Sequence, residues 1–132
     1  MGEMKNKKTI LVVDDDPLIT RMYQKRLTDD GYDVETASNG EEAILALRRK
    51  IPNLIILDIM MPKMNGVETL KFLKGDASTA SVSVIILSNL GDRTEDIDKA
   101  KQMGALDYLV KSNITLKQLS ERVEKVFGRA GE

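Results

Sequence analysis

Four short apolar runs, ILVV at 10–13, LIIL at 54–57, VIIL at 84–87 and YLV at 108–110, lead into Asp14 and Asp15, Asp58, Ser88 and Lys111 respectively. Unbroken apolar runs of this length suit strands buried on both faces, the condition of parallel strands covered by helices. Ligands of open parallel sheets collect at the carboxyl ends of the strands. One sheet edge is therefore expected to gather three carboxylates, a hydroxyl and an ammonium.

Strand and helix patterns alternate along the whole chain, with no repeat, low-complexity tract or long linker, which is the pattern of a single α/β sandwich. Asp16 and Pro17 mark a helix start, Leu18, Ile19, Met22, Tyr23 and Leu27 follow at helical spacing, and Gly31 is the stop. Residues 33–36 read as a half-polar strand suited to a sheet edge. Ser38 with Glu41 has capping-box spacing ahead of Ala43, Ile44 and Leu47. Beyond the strand ending at Asp58, Pro62 and Asn65-Gly66 mark a loop before a helix carrying Val67, Leu70 and Leu73. Residues 82–87 form the next strand, a helix from about 92 to 103 stops at Gly104, and 106–110 form the last strand. Thr115 with Gln118 gives a second capping box, and Leu116, Leu119, Val123 and Val126 stripe the final helix.

Composition removes several function classes. A net charge of -1 and a pI near 5.6 lack the cationic surplus that direct nucleic-acid or anionic-membrane binding calls for. No apolar stretch nears the roughly 18 residues of a membrane helix, and the polar start lacks a signal peptide's apolar region, so a cytoplasmic protein is expected. With no cysteine and no histidine, the usual zinc and transition-metal sites are excluded and any metal should be hard and oxygen-ligated. The chain cannot carry a phosphohistidine, so a phosphoryl group must come from another molecule.

A carboxylate can attack phosphorus to give an acyl phosphate, but gathering Asp14, Asp15 and Asp58 at one edge opposes an approaching phosphate. A divalent cation resolves the conflict, and Mg²⁺ suits carboxylate, carbonyl and water oxygens. Lys111 can neutralise one phosphoryl oxygen while the Ser88 hydroxyl donates to another. Taken singly, each residue has a plainer reading: Asp14 to Asp16 as a helix start, Asp58 as a loop residue, Ser88 as a strand end, Lys111 as a solvated lysine, Tyr108 as a core ring. Four strand ends with matching chemistry outweigh those readings taken together.

The VVDDDP start, the LIILDIMMPKMNG segment, the IILSN strand end and the GALDYLVKS ending resemble the receiver domain of two-component response regulators. The resemblance runs from about Lys8 to Phe127, leaving 1–7 as a tag or disordered lead and 128–132 as a frayed end. It implies a flavodoxin-like, doubly wound fold: a five-stranded parallel sheet in order 2-1-3-4-5 flanked by five helices. It also implies that Asp58 is the phosphoacceptor, that Asp15 binds Mg²⁺ directly with Asp14 helping through water, and that the Met60 carbonyl is a further ligand. Ser88 and Lys111 take the places of the family's hydroxyl residue and lysine, and Tyr108 that of the aromatic whose rotamer follows the hydroxyl. The chain would then be a signalling module rather than an enzyme, assisting its own phosphorylation and dephosphorylation. Its implied partners are a sensor histidine kinase or histidine phosphotransfer protein, and a downstream effector protein or a second copy of itself. No effector segment follows Phe127, so the output is expected in a partner, a self-association face or a further domain.

Three positions depart from the family pattern. Ser112 replaces the proline usual after the lysine, which predicts a trans Lys111–Ser112 bond because a non-proline cis bond costs about 2.5–4 kcal/mol. Asn89 replaces a small residue, and Asn65 an acidic one. The resemblance places the side chains of Met60 and Leu90, two residues beyond Asp58 and Ser88, beside the approach of the hydrolytic water; neither can orient a water by hydrogen bonding, which predicts a long-lived aspartyl phosphate.

Two other readings compete. Asp14-x-Asp16 and Gly91-Asp92-x-x-x-Asp96 faintly resemble motifs of haloacid-dehalogenase-like Mg²⁺-dependent phosphatases, but Leu18 stands where that family wants Thr or Val. Lys111 lies on the wrong side of the second motif, and Asp58 is left without a role. A non-phosphorylated pseudo-receiver interaction module is the other, against which the full set of Asp15, Asp58, Ser88 and Lys111 argues.

Overall fold

The computed structural model describes residues 7–59, 66–88 and 94–128. Its elements are β1 (Thr9–Val13), α1 (Pro17–Asp29), β2 (Asp33–Ala37), α2 (Gly40–Arg49), β3 (Leu54–Asp58), α3 (Gly66–Gly75), β4 (Ser83–Ser88), α4 (Thr94–Gln102), β5 (Asp107–Val110) and α5 (Leu116–Phe127). A 3-10 turn at Lys111–Asn113 joins β5 to α5. All strand pairs are parallel and the sheet order is β2-β1-β3-β4-β5, the doubly wound arrangement expected from the sequence.

Successive strand residues point to opposite faces, so each strand feeds two apolar layers. Leu11, Val13, Ile55, Leu57, Val84 and Ile86 pack with Leu47, Leu70, Leu73 and Ala100 of α2, α3 and α4. Ile10, Val12, Leu54, Ile56, Ile85 and Leu87 pack with Tyr23 and Leu27 of α1 and Leu119 and Val123 of α5. Full burial of such a side chain is worth about 1.5–3 kcal/mol, which is why the three inner strands are apolar at nearly every position. Edge strand β2 buries only Val34 and Ala37, hence its half-polar sequence.

Helix ends follow their local chemistry, with one shift. The Asp16 carboxylate accepts the Leu18 N–H at 2.9 Å and Pro17 opens α1. Past its other end Gly31 takes φ +105°, a conformation open to glycine at low cost. Thr115 and Gln118 form the reciprocal capping box at the start of α5. The helix start expected at Ser38 and Glu41 sits one residue later: Asn39 is the N-cap and accepts the Glu42 N–H at 2.9 Å, while Glu42 accepts from the N–H and hydroxyl of Ser38, the residue before the cap, at 2.8 and 2.7 Å. Glu42, not Glu41, occupies the third helical position from which a carboxylate reaches back.

The α1 stripe is narrower than its apolar count suggests. Ile19, Tyr23 and Leu27 share the inward face at four-residue spacing, whereas Leu18 and Met22 are 62% and 38% exposed, about 100° away around the helix. Strand ends moved by a residue: β2 reaches Ala37, β4 begins at Ser83 and takes in Ser88, and β5 begins at Asp107, just after the exposed Leu106 whose N–H donates to the Val84 carbonyl at 2.7 Å. The described part of α4 begins at Thr94. Every described peptide bond is trans, Lys111–Ser112 included. The expectations for 1–6, 129–132, Met60, Pro62, Asn65, Asn89, Leu90, Gly91 and Asp92 lie outside the described residues, as does the side chain of Asp96.

Candidate functional site

The three consecutive aspartates after β1 do three different things. Asp14 continues the ladder, donating its N–H to the Ala37 carbonyl at 3.1 Å, and is buried at 2% exposure. Its Oδ1 accepts the Asp16 N–H at 2.9 Å and its Oδ2 accepts the Lys111 ammonium at 2.8 Å. Asp15 is exposed, and Asp16 caps α1. The plainer reading of the run as a helix start therefore holds for Asp16 alone.

Asp58 is the last residue of β3 and is buried. Its Oδ2 lies 3.3 Å from Lys111 Nζ, so one ammonium bridges two carboxylates whose strands are neighbours in the sheet. Burial is the strongest influence on Lys111 and pushes its pKa down. The hydrogen bond to Asp14 and the charges of Asp58 and Asp14 together outweigh it, so the net shift is upward and the lysine stays charged. Removing one partner of a buried pair leaves an uncompensated charge at a cost of about 3–5 kcal/mol.

Behind Asp58, the Gly66 N–H donates to the Ile59 carbonyl at 3.1 Å. A Cβ on Gly66 would lie 2.4 Å from the Asp58 carbonyl oxygen and 2.4 Å from Ile59 Cα. The start of α3 thus rests directly on the backbone that carries Asp58. The sequence marked Asn65-Gly66 only as a turn; the steric requirement arises from residues seven and eight positions upstream and has no local signal.

Ser88 closes β4 and is fully buried. Register pairs Asp58 with Leu87 and Ser88 with Val110, the residue before Lys111, so Asp14, Asp15, Asp58, Ser88 and Lys111 gather at the carboxyl edge of the sheet, while Tyr108 pairs with Ile86 two residues before the end of β5. Alternation divides them between faces. Asp58 follows Leu54 and Ile56 toward the α1–α5 layer, Asp14 continues the parity of Val12 on that side, and Lys111 reaches both from the 3-10 turn. Ser88 follows Val84 and Ile86 toward the α2–α3–α4 layer, where the Tyr108 ring is buried.

Asp14, Asp15 and Asp58 each offer a carboxylate oxygen, and these oxygens lie within 4.8 Å of one another. That donor set can hold a hard cation of the Mg²⁺ or Ca²⁺ kind. A shallow cavity of about 260 Å³ beside it is lined by Asp14, Asp15, Thr20, Ser38 and Glu42, which leaves the exposed side of the cluster open to solvent. No described helix is long and apolar enough to cross a membrane.

Residues 10–124 match the profile of the family described as response regulator receiver domain. The "Probable transcriptional regulator ycf27" of Pyropia yezoensis is 43% identical over 96% of this chain and 51% of its own length. The alkaline phosphatase synthesis transcriptional regulatory protein PhoP of Bacillus subtilis is 36% identical over 95% of the chain and 50% of its own. The chain spans about half the length of these relatives. Among solved structures, the Francisella response regulator 1452 receiver domain superposes with a TM-score of 0.84 at 32% identity, covering 93% of this chain and 98% of that one. The chemotaxis response regulator CheY4 of Vibrio cholerae gives 0.84 at 30% identity, covering 91% and 98%.

Proposed function

The chain belongs to the response regulator receiver family, and from that premise we propose that Asp58 accepts a phosphoryl group from a phosphohistidine on a sensor kinase or phosphotransfer protein. One observation carries the reading: the Lys111 ammonium, 2.8 Å from Asp14 and 3.3 Å from Asp58, sits against a cluster of three carboxylates.

In the transfer, an Asp58 oxygen forms the new O–P bond while the P–N bond to the donor imidazole breaks, the imidazole leaving with the electron pair and taking up a proton. Lys111 neutralises charge on one phosphoryl oxygen without travelling far from its place on Asp58. The Ser88 hydroxyl, from the other face, donates to a second. Asp14, Asp15 and Asp58, with the Met60 carbonyl, are the proposed Mg²⁺ ligands. A bound Mg²⁺ would offset the carboxylate charge and polarise the phosphoryl group.

Recruitment of Ser88 toward the phosphoryl group would alter the layer in which Tyr108 is packed, and with it a face for an effector protein or a second copy of the chain. The receiver unit is proposed to span 8–127 and to work in the cytoplasm without direct nucleic-acid or membrane contact. No observation favours the phosphatase alternative.

Intact-mass measurement after exposure to acetyl phosphate and Mg²⁺ tests the proposal. The parent should gain one phosphoryl group and Asp58→Asn none. Labelling of Asp58→Asn at the parental rate would refute the assignment, and no labelling of the parent by acetyl phosphate or by a phosphorylated kinase would favour the pseudo-receiver reading.

A further inference from the structure

Leu45 stands on the wrong side of its helix for a core residue. Along α2, Ala43, Ala46 and Leu47 are buried, and at about 100° per residue Glu41, Leu45 and Arg48 fall on the opposite, outward face. Leu45 is 55% exposed. Beside it, Ile44, Leu47, Ile51 and Phe72 contribute the apolar part of a groove of about 330 Å³ where α2 meets α3, and Ile51 and Phe72 are themselves exposed. A single exposed leucine is ordinary. One that projects beside an open apolar groove offers both halves of a contact.

The charges on this face select what can cover it. Glu41, Leu45 and Arg48 follow one another at four and three residues, acid first, apolar between, base last. Neither Glu41 nor Arg48 has a hydrogen bond or ion pair among the described residues, whereas Arg49 lies 3.9 Å from Glu35 and Lys50 3.1 Å from Asp33. Asp76 on the groove rim, which the Arg48 charge also reaches, already accepts from the Ser78 N–H and hydroxyl at 2.9 Å each. The order of the charges suits the helix dipole, which accounts for Glu41 and Arg48 but leaves Leu45 unexplained. A second α2 laid antiparallel on the first meets complementary charge at both ends, Glu41 against Arg48 twice, about 10 Å apart along the axis. A parallel copy would set like charge on like.

We propose that this face is a contact between two copies of the chain, related by a two-fold axis across α2. Each Leu45 enters the groove beside α2 of the other copy, and each Glu41 pairs with Arg48 of the partner subunit. Such a self-complementary patch closes at two copies. One helix pair buries less than the roughly 1,200–2,000 Å² of a stable interface, so the dimer is weak and concentration-dependent. It is independent of the phosphoacceptor reading.

Sedimentation equilibrium without phosphodonor, at low and high salt, tests the contact. The parent should dimerise within about 0.1–1 mM, and salt should weaken it. Leu45→Asp should raise the dissociation constant at least about tenfold, the scale of a lost central anchor. Glu41→Arg and Arg48→Glu, each alone, set two like-charge pairs and should leave monomers. Mixed one to one they restore both opposite-charge pairs and should form a dimer with each other. All three changes are on exposed positions, and circular-dichroism melts verify that each variant is folded. A parent that stays monomeric to about 1 mM would overturn the proposal. So would a dimer indifferent to these substitutions, or a mixture of the two charge variants that fails to associate.

Discussion

Replacing Gly66 by alanine should damage stability and site together. The new methyl group would stand 2.4 Å from the Asp58 carbonyl oxygen and from Ile59 Cα. Real Cβ contacts essentially never fall below 3.0 Å, so α3 or the end of β3 must retreat by at least about 0.6 Å. Both obstacles are backbone atoms and no flexible side chain can absorb the shift. Overpacking of this kind costs about 1–3 kcal/mol, and for a domain of this size each kcal/mol is worth roughly 3–5 °C of melting temperature. A loss of about 3–15 °C follows. Because the displaced backbone carries Asp58, and misplacement of a reacting group by about 1 Å can cost 10²-fold in rate, labelling by acetyl phosphate should fall about tenfold or more. Gly75→Ala is the control: it ends the same helix with nothing within 4 Å of its added Cβ, so it should be neutral or raise stability by about 0.4–1 kcal/mol. Circular-dichroism melts of the parent and both variants, with labelling time courses, make the comparison. A Gly66→Ala protein that melts and labels like its parent would show that α3 does not bear on Asp58 as described.

Mg²⁺ should raise the melting temperature, because a cation held only by the folded chain stabilises it in proportion to its binding. Asp15→Asn should blunt that rise in a calorimetric titration and leave the Lys111 bridge intact; an undiminished response would count against Asp15 as a ligand. The raised pKa of Lys111 means that its contribution to stability is fully present below its ordinary 10.5 and is lost as pH climbs through the higher folded value. Metal-free parent should therefore lose more stability than Lys111→Met between pH 10 and about 12 in urea melts, and parallel curves would refute the linkage. If Met60 and Leu90 do restrain hydrolysis, the double change Met60→Asn and Leu90→Glu should shed label faster than the parent after donor removal at constant Mg²⁺. Equal or slower decay would exclude a role for the pair.

Elements with a periodic or capping signature were legible in the sequence. The inner strands announce themselves as apolar runs because both of their faces are covered, and Asp16-Pro17 and Thr115 with Gln118 mark helix starts whose hydrogen bonds are local. Boundaries slipped where two residues could do one job, as with Ser38 and Asn39 at the start of α2. Leu18 and Met22 showed that apolar identity does not fix burial when a stripe is wider than the face that meets the sheet. At the site, the four strand ends were readable because parallel strands bring their carboxyl ends together. The inward turn of Asp14 onto Lys111 and the seating of Gly66 on Asp58 join residues distant in sequence, and no spacing rule reports them.

The alternation of the strands divides the site between two layers that meet only at the sheet itself. Asp14, Asp58 and Lys111 belong to the side packed by α1 and α5, Ser88 and Tyr108 to the side packed by α2, α3 and α4. Substitutions in either layer can drift without repacking the other. The sequence is thus free to retune how readily charge is accommodated at Asp58 separately from how the opposite surface is shaped. Only the strand ends, where Asp58 and Ser88 close neighbouring strands, must satisfy both sides at once.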